Sequence, residues 1–256
     1  MLGLPSPSST VSSTILCFLS LLTRTSSLAL PNPNPNPHRH ALSARASPPA
    51  PPLPTLSGLP SPPSSLSLKY IGLGLGTQNY TCNPTSSSST SSTTPASIGA
   101  LATLYDATPL FLAATGLPAS LSANALAALE TTLTCAADVY DTALGLSTLG
   151  HHYFDSLARP TFDLSGAAAG NGGPAFLSAK KVADVPAPVG SATCAGRDGG
   201  GAVDWLMLED CGDGDSRGVS VVYRLDTAGG KAVGACAVGA EGTVTSDYSA
   251  LYYFFG

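Results

Sequence analysis

The sequence predicts a mainly β protein: an antiparallel β-sandwich or barrel-like domain with one short helical insertion and a disordered proline-rich segment before it. Short stretches in which apolar and polar residues alternate recur at least seven times after residue 65. Such alternation is typical of strands with one buried face, and glycine- or proline-containing turns separate the stretches. No regular alternation of strands with helices exists that would build a parallel sheet. Residues 66–256 are long enough to form one sizeable core.

The amino-terminal residues have the composition of a targeting and spacer region. The apolar run "ILCFLSLL" at 15–22 is too short to span a bilayer, and the small residues of "TSSLAL" follow it. We therefore expect residues 1–29 to be a secretory signal peptide and the protein to be extracellular. Residues 30–65 contain twelve prolines, which oppose helix and sheet and predict a disordered linker. No later run is long enough for a membrane helix.

The domain is expected to begin with two strands and then a helix. "SLKYIGLG" alternates around Leu66, Leu68 and Tyr70, and "IGALATLYDA" follows as the second strand. Residues 117–135 are rich in Ala and Leu, which have high helix propensity, and they lie in an Ala-rich insertion at about 107–147.

Six further segments have strand character. They are "HHYF" 151–154, "TFDL" 161–164, "AFLSAKKVADV" 175–185, "AVDWLMLE" 202–209, "VSVVYRLD" 219–226 and "TVTSDYSALYYFF" 243–255. "VDWLML" is apolar on both faces, which predicts a central, covered strand. "TAGGK" at 227–231 has turn chemistry, with Gly229 and Gly230 able to adopt positive φ.

Three alternating glycines, Gly72, Gly74 and Gly76, raise the question of a nucleotide site. A dinucleotide turn needs G-x-G-x-x-G spacing, a helix that starts within it and an acid about 20 residues on. Here the spacing is G-x-G-x-G, the polar "TQNYTCNPT" that follows cannot open a helix, and the first acid is Asp106. We therefore expect a strand that a neighbouring group approaches closely, and no cofactor.

The charge balance limits the partners of the domain. From Lys69 onward there are eight Lys and Arg residues against 16 Asp and Glu residues. An acidic domain without basic clusters argues against nucleic acid and anionic membranes. The oligomeric state stays open.

Cysteines and glycosylation signals agree with export. Five cysteines remain after the signal peptide, and no zinc-type spacing occurs among them, so disulfides are favoured over metal. Our preferred pairs are Cys82–Cys236 and Cys194–Cys211, although sequence alone leaves the connectivity open. Asn79 begins an N-glycosylation sequon, and ten consecutive Ser and Thr residues occupy 85–94.

Several motifs occur in an order that resembles one family. They are "GLGTQNYTC", "ALATLYDA", "LGHHYF", "PTFDL", "VDWLMLE", "VVYRLDTAGG" and "YSALYYFF". Together they resemble secreted fungal proteins, with shorter bacterial relatives, known as a domain of unknown function. Some members carry the label malate dehydrogenase. The resemblance implies a secreted, largely β domain without an established activity, and the residues offer no cofactor turn to support that label.

Two adjacent histidines are the first candidates for catalysis. Neighbouring strand residues point to opposite faces, so His151 and His152 cannot easily share a metal. One of them with Asp155 or Asp163 could form an acid–base pair, with Tyr153, Trp205 and Arg224 as neighbours. The alternative that we favour is a buried, hydrogen-bonded histidine with a structural role.

Two further clusters have a chemical and a structural interpretation. Asp210, Asp213 and Asp215 form a weak candidate calcium site with Glu209, but the spacing fits a solvated turn better. Trp205 and the tyrosines of the carboxy-terminal strand could stack against sugars, although core packing explains them more simply. Those tyrosines are Tyr248, Tyr252 and Tyr253.

Three functional hypotheses follow. The preferred one is a secreted, glycosylated protein with a structural or binding role at the cell surface or wall, with wall polysaccharide as the candidate partner. The second is an extracellular enzyme that uses His151 or His152, and it requires one of them in a pocket beside a carboxylate. The third and least favoured is an NAD-dependent malate dehydrogenase.

Overall fold

The structure, a computed structural model, describes residues 53, 55–82, 94–114, 146–167, 173–191, 199–232, 234, 236 and 242–256. These residues form nine strands and one helix: β1 Leu68–Cys82, β2 Ala96–Asp106, α1 Thr108–Ala114, β3 Thr148–Phe154, β4 Pro160–Leu164, β5 Ala175–Val185, β6 Gly199–Ala202, β7 Trp205–Asp210, β8 Val221–Ala232 and β9 Gly242–Phe255. The predicted helix at 117–135 lies outside the described residues.

The strands form one closed antiparallel sheet. Its order is β6-β8-β7-β5-β4-β3-β2-β1-β9, and β8 also pairs with β9, so that eight strands close into a barrel-like ring while β6 extends β8. The first and last strands pair from Leu68 opposite Phe255 to Cys82 opposite Gly242. The predicted mainly β, antiparallel, barrel-like class is confirmed.

A core of apolar and aromatic side chains fills the interior of the ring. Because strand residues alternate between faces, Tyr252 and Phe254 of β9 point inward and pack against Phe162 of β4. Leu104 and Leu177 complete this core from β2 and β5. These described side chains therefore fill much of the interior of the ring with a packed core.

A second core covers the outer face of β1, β7, β8 and β9. Helix α1 contributes Phe111, whose ring meets Tyr253 edge-on at 6.1 Å between centroids. Upstream of β1, Leu59 is buried, and the carbonyl of Pro60 accepts a 2.8 Å hydrogen bond from the Tyr223 hydroxyl. These four strands are thus apolar on both faces, as predicted for "VDWLML". The folded unit also extends upstream of residue 66, where the predicted linker ends.

The glycine run belongs to β1 and not to a nucleotide-binding turn. A Cβ at Gly74 would lie 2.5 Å from Cε2 of Tyr252, so the missing side chain makes room for that ring inside the barrel. The strand continues past Gly76 to Cys82, and no helix starts within the run. The expected close approach to an alternating-glycine strand is what the structure shows.

The predicted turn at 227–231 is wrong, because β8 continues to Ala232. Gly229 and Gly230 do adopt positive φ, at 65° and 92°. The pairing of β8 with β9 shifts register between Leu225 and Ala228, where Asp226 has a φ of 48°, so the bulge lies just before the glycines and the chain does not reverse.

One disulfide joins Cys82 to Cys236, with 5.6 Å between their Cα atoms. Cys211 carries a free thiol, which corrects the predicted Cys194–Cys211 pair; Cys194 lies outside the described residues. The sequon residue Asn79 is half-buried within β1. In the part of the chain that the structure describes, no helix has the length and apolar character needed to cross a membrane.

Candidate functional site

A cavity of about 590 Å³ opens at one end of the barrel. Apolar side chains of the inner core form its deep wall, among them Phe154, Phe162, Leu206 and Leu208. Polar and charged side chains lie on the same inner surface or around the mouth: Gln78, Tyr80, His152, Arg159, Lys180, Lys181, Asp184, Asp204, Arg224 and Lys231. The barrel end is therefore lined as small-molecule sites commonly are, with an apolar wall and a few placed polar groups.

His152 forms part of the deep wall. Its ring stacks on Phe162, with 4.2 Å between centroids and 7° between the planes. Its Nδ1 lies 2.9 Å from the carbonyl oxygen of Thr161. Since a carbonyl only accepts, Nδ1 carries the proton, and in the neutral ring Nε2 is left as an acceptor. Burial is the main reason that the pKa of His152 is lowered to about 4; the hydrogen bond to Thr161 opposes this shift, and the charge of Arg224 contributes to it.

Arg224 is the buried cation of the cavity. It lies on β8 with only 8 % of its surface exposed, and its Nε and Nη2 both donate to the carbonyl oxygen of Asp204, at 3.3 and 2.9 Å. None of the ion pairs formed between described residues includes Arg224. Its positive charge also lowers the pKa values of Tyr248 and Tyr252, although burial has the larger effect and raises both.

The other four cations around the cavity each have a carboxylate partner. Arg159 Nη2 lies 2.6 Å from Asp155, and Nη1 pairs with Asp213. The three lysines pair at longer distances: Lys180 with Glu209 at 3.4 Å, Lys181 with Asp184 at 3.0 Å and Lys231 with Asp204 at 3.5 Å. These pairs neutralise the rim, so the uncompensated positive charge lies inside.

The two candidate histidines occupy different environments. His152 is buried in the cavity wall, whereas His151 is exposed and lies opposite Asp163 in the pairing of β3 with β4. Asp155 accepts from Arg159, and its pKa is lowered first by the backbone N–H of that residue. No hydrogen bond within the described part of the chain joins His152 to a carboxylate. His152 therefore lies in a pocket, as the second hypothesis required, but its Nδ1 hydrogen bond goes to the Thr161 carbonyl and not to an acid.

The sequence analysis missed most of the polar cavity residues. Gln78, Tyr80 and Lys181 were not singled out, and Arg224 was named only as a neighbour of the histidines. A usable signal existed for Arg224, because the period of two in "VSVVYRLD" puts it on the same face as the inward-pointing Val222. The same period of two puts Gln78 and Tyr80 on the face of Gly74, which meets the inward Tyr252 ring, so a signal also existed for these two residues.

The acidic loop forms a turn held by its own hydrogen bonds. Asp210 accepts from the backbone of Gly212 and from the Ser216 hydroxyl, at 3.0 and 2.8 Å. Asp213 accepts from the Asp215 backbone, which lowers its pKa to about 2, and also pairs with Arg159. Ligand atoms of Asp210, Cys211 and Asp213 lie within 4.8 Å of one another. Since the carboxylates are already engaged, the turn interpretation accounts for them.

The aromatic residues considered as a sugar platform all belong to the cores. Trp205 and Tyr253 are buried in the outer core, and Tyr248 and Tyr252 in the inner one. The hydroxyls of the inner pair are 2.9 Å apart. None of the four rings offers an exposed face to a polysaccharide, which agrees with the packing interpretation.

A closed antiparallel sheet, with a cavity that opens at one end, defines a small, barrel-type β domain. Residues 62–256 match the family model described as protein of unknown function (DUF3455), and the chain belongs to that family. The match confirms the motif resemblance at the level of a family of unknown function. No curated protein and no solved structure matches the chain. Nothing in the match supports a malate dehydrogenase.

Proposed function

We propose that this protein is an extracellular binding protein that holds a small molecule in the end of its barrel. The cavity is the observation that carries this proposal, because an apolar wall with a buried guanidinium and a histidine acceptor has the composition of a ligand site. A volume of about 590 Å³ accommodates a small organic molecule or one end of a longer one. Closed eight-stranded sheets commonly hold one small ligand in this position.

Binding explains the site better than catalysis does. A general base needs a pKa near the working pH, whereas burial lowers the pKa of His152 to about 4, which makes Nε2 a weak base. Its ring stacks on Phe162 as part of the wall. Such a residue is suited to accept a hydrogen bond from a bound molecule.

The extracellular location rests on separate support. The apolar run at 15–22 and the small residues after it have the pattern of a secretory signal. The Cys82–Cys236 disulfide is typical of oxidising compartments. Attachment to wall polysaccharide stays a prediction, and it is tested by retention of the secreted protein on purified wall fractions.

A charge-balanced ligand screen tests the proposal. Neutral, anionic and cationic compounds of 10 to 25 heavy atoms, about the size range of the cavity, are examined by thermal shift and ligand-observed NMR. Ala179→Phe fills the cavity from β5, and Val182→Phe, at an exposed position of the same strand, is the matched control. We expect several compounds to bind the wild-type protein and Val182→Phe, but not Ala179→Phe.

Circular dichroism establishes that Ala179→Phe keeps the β fold before binding is compared. A screen without any hit on the folded wild-type protein would refute the binding role. Hits that survive in folded Ala179→Phe would place the binding elsewhere on the surface.

A further inference from the structure

We infer that the ligand is an organic anion with an apolar, aromatic body, whose carboxylate, sulfate or phosphate group pairs with Arg224. This inference rests on the proposed function and adds the chemical class of the ligand. It follows from where the cations lie, from the unused donors of Arg224 and from the shape of the deep wall.

The cations of the domain are concentrated at this cavity. Five of the eight Lys and Arg residues after residue 68 line it, although the same part of the chain carries 16 acids. The rim lysines are about half exposed and have carboxylate partners, so they contribute little net field. Lys181 and Lys231 neutralise Asp184 and Asp204 at the mouth, which lets a negative ligand approach an otherwise acidic domain.

Arg224 keeps donors available for such a ligand. A guanidinium has five N–H donors, and the carbonyl of Asp204 takes one from Nε and one from Nη2. The Tyr252 hydroxyl accepts a further hydrogen bond from Arg224, so two of the five N–H groups remain for other acceptors. A buried charge that is balanced only by a carbonyl and a hydroxyl is costly, and a carboxylate or phosphate that binds the two remaining N–H groups would offset that cost.

The deep wall determines the rest of the ligand. His152 and Phe162 stack face to face, and Phe154 lies 5.7 Å from His152 at an angle of 54°, so aromatic rings form much of the deep wall. Leu206 and Leu208 extend this wall with aliphatic groups. The Nε2 acceptor of His152 is suited to a hydroxyl or N–H group on the ligand. An aromatic or conjugated acid satisfies all of these features.

Matched probes that differ only in charge test this inference by isothermal titration calorimetry at pH 7. The probes are 2-naphthoate, 2-naphthyl phosphate and the neutral isostere 2-naphthamide. Arg224→Met removes the buried charge, and Arg217→Met removes an exposed charge that lies over the Phe176 ring, away from the cavity. We expect the wild-type protein to bind at least one anion with a dissociation constant below 1 mM and at least tenfold more tightly than the amide. Arg217→Met should keep that ratio, and Arg224→Met should reduce it to about one.

The outcomes separate this inference from the proposed function. Equal binding of amide and anions by the wild-type protein, or neutral and cationic hits alone in the screen, would leave a binding cavity but overturn the anion assignment. An unchanged anion preference in Arg224→Met would do the same. A preference for the phosphate over the carboxylate identifies the anionic group. If Arg224→Met does not fold, the wild-type ratio of anion to amide decides the inference alone.

Discussion

At the scale of single residues, His152 determines how stability depends on pH. Burial lowers its pKa from 6.5 to about 4 in the folded protein, so below pH 6.5 the unfolded chain binds the proton first. The stabilisation from the neutral ring is complete above pH 6.5 and is lost as the pH falls toward 4. The full effect amounts to roughly 3 kcal/mol over that window.

We therefore expect His152→Asn to flatten the pH dependence of the free energy of unfolding between pH 7 and 4.5. Asparagine is shorter, but its amide retains a donor for the Thr161 carbonyl and does not titrate. The variant should be less stable at pH 7, because it loses the stacking on Phe162, but its slope should be smaller. Urea unfolding at closely spaced pH values measures this slope.

His151→Asn is the control for that experiment, because His151 is exposed on the opposite face of β3. Its slope should equal that of the wild-type protein. The burial argument fails if the slope of His152→Asn also equals the wild-type slope.

Residue-scale sequence reasoning succeeded where strand periodicity decides the outcome. It placed the two histidines on opposite faces and explained the glycine run by a close neighbour, which is Tyr252 at Gly74. It could not find the role of Arg224, because that role depends on the carbonyl of Asp204, 20 residues away in the sequence, and on how the ion pairs among the described residues leave Arg224 out. Such long-range facts leave no periodic trace in the sequence.

At the scale of elements, the segment upstream of β1 packs against the domain, although its composition is that of a linker. Prolines oppose helix and sheet, which correctly predicts that residues 55–67 contain neither. Proline does not prevent packing, however, and Leu59 is buried in the outer core beside Tyr223 and Phe111. Composition alone therefore put the domain boundary too late.

We expect Leu59→Ala to lower the free energy of unfolding by roughly 2 to 4 kcal/mol, because it leaves a cavity under a buried side chain. Leu157→Ala is the control, since that leucine is 69 % exposed and its loss should cost less than about 0.5 kcal/mol. Both values come from urea denaturation at pH 7. Equal small effects would show that the upstream segment contributes nothing to the fold.

The bulge in β8 shows why one element boundary could not be predicted. "TAGGK" has the residues of a tight turn, and the same residues also suit a bulged strand, because both need positive φ. The choice is made by β9, which pairs with β8 on both sides of the irregularity, opposite Leu225 and again opposite Ala228. The local sequence therefore cannot decide between a turn and a bulge, because β9 lies beside β8 only in the folded sheet.

At the scale of the whole molecule, the sheet closes because its first strand pairs with its last. The first strand pairs with the last, β9, along almost its whole length, and β9 also pairs with β8. The Cys82–Cys236 disulfide links the end of β1 to the segment just before β9, across a sequence separation of 154 residues. It therefore holds together the two strands whose meeting closes the sheet.

Removing this disulfide should lower the free energy of unfolding and slow the closure of the sheet during folding. In the chain-entropy model, Cys82→Ser with Cys236→Ser frees a long loop in the unfolded state and costs roughly 2 to 5 kcal/mol. Because closure needs a distant pairing, we expect most of that cost in the folding rate, with refolding at least about tenfold slower than in the oxidised protein. Cys211→Ser, which removes the free thiol, should leave both quantities unchanged.

Stopped-flow refolding and unfolding measure the two rates. If the double variant refolds at the wild-type rate and only unfolds faster, β1 and β9 pair after the folding barrier, and closure of the ring is not the step that limits folding.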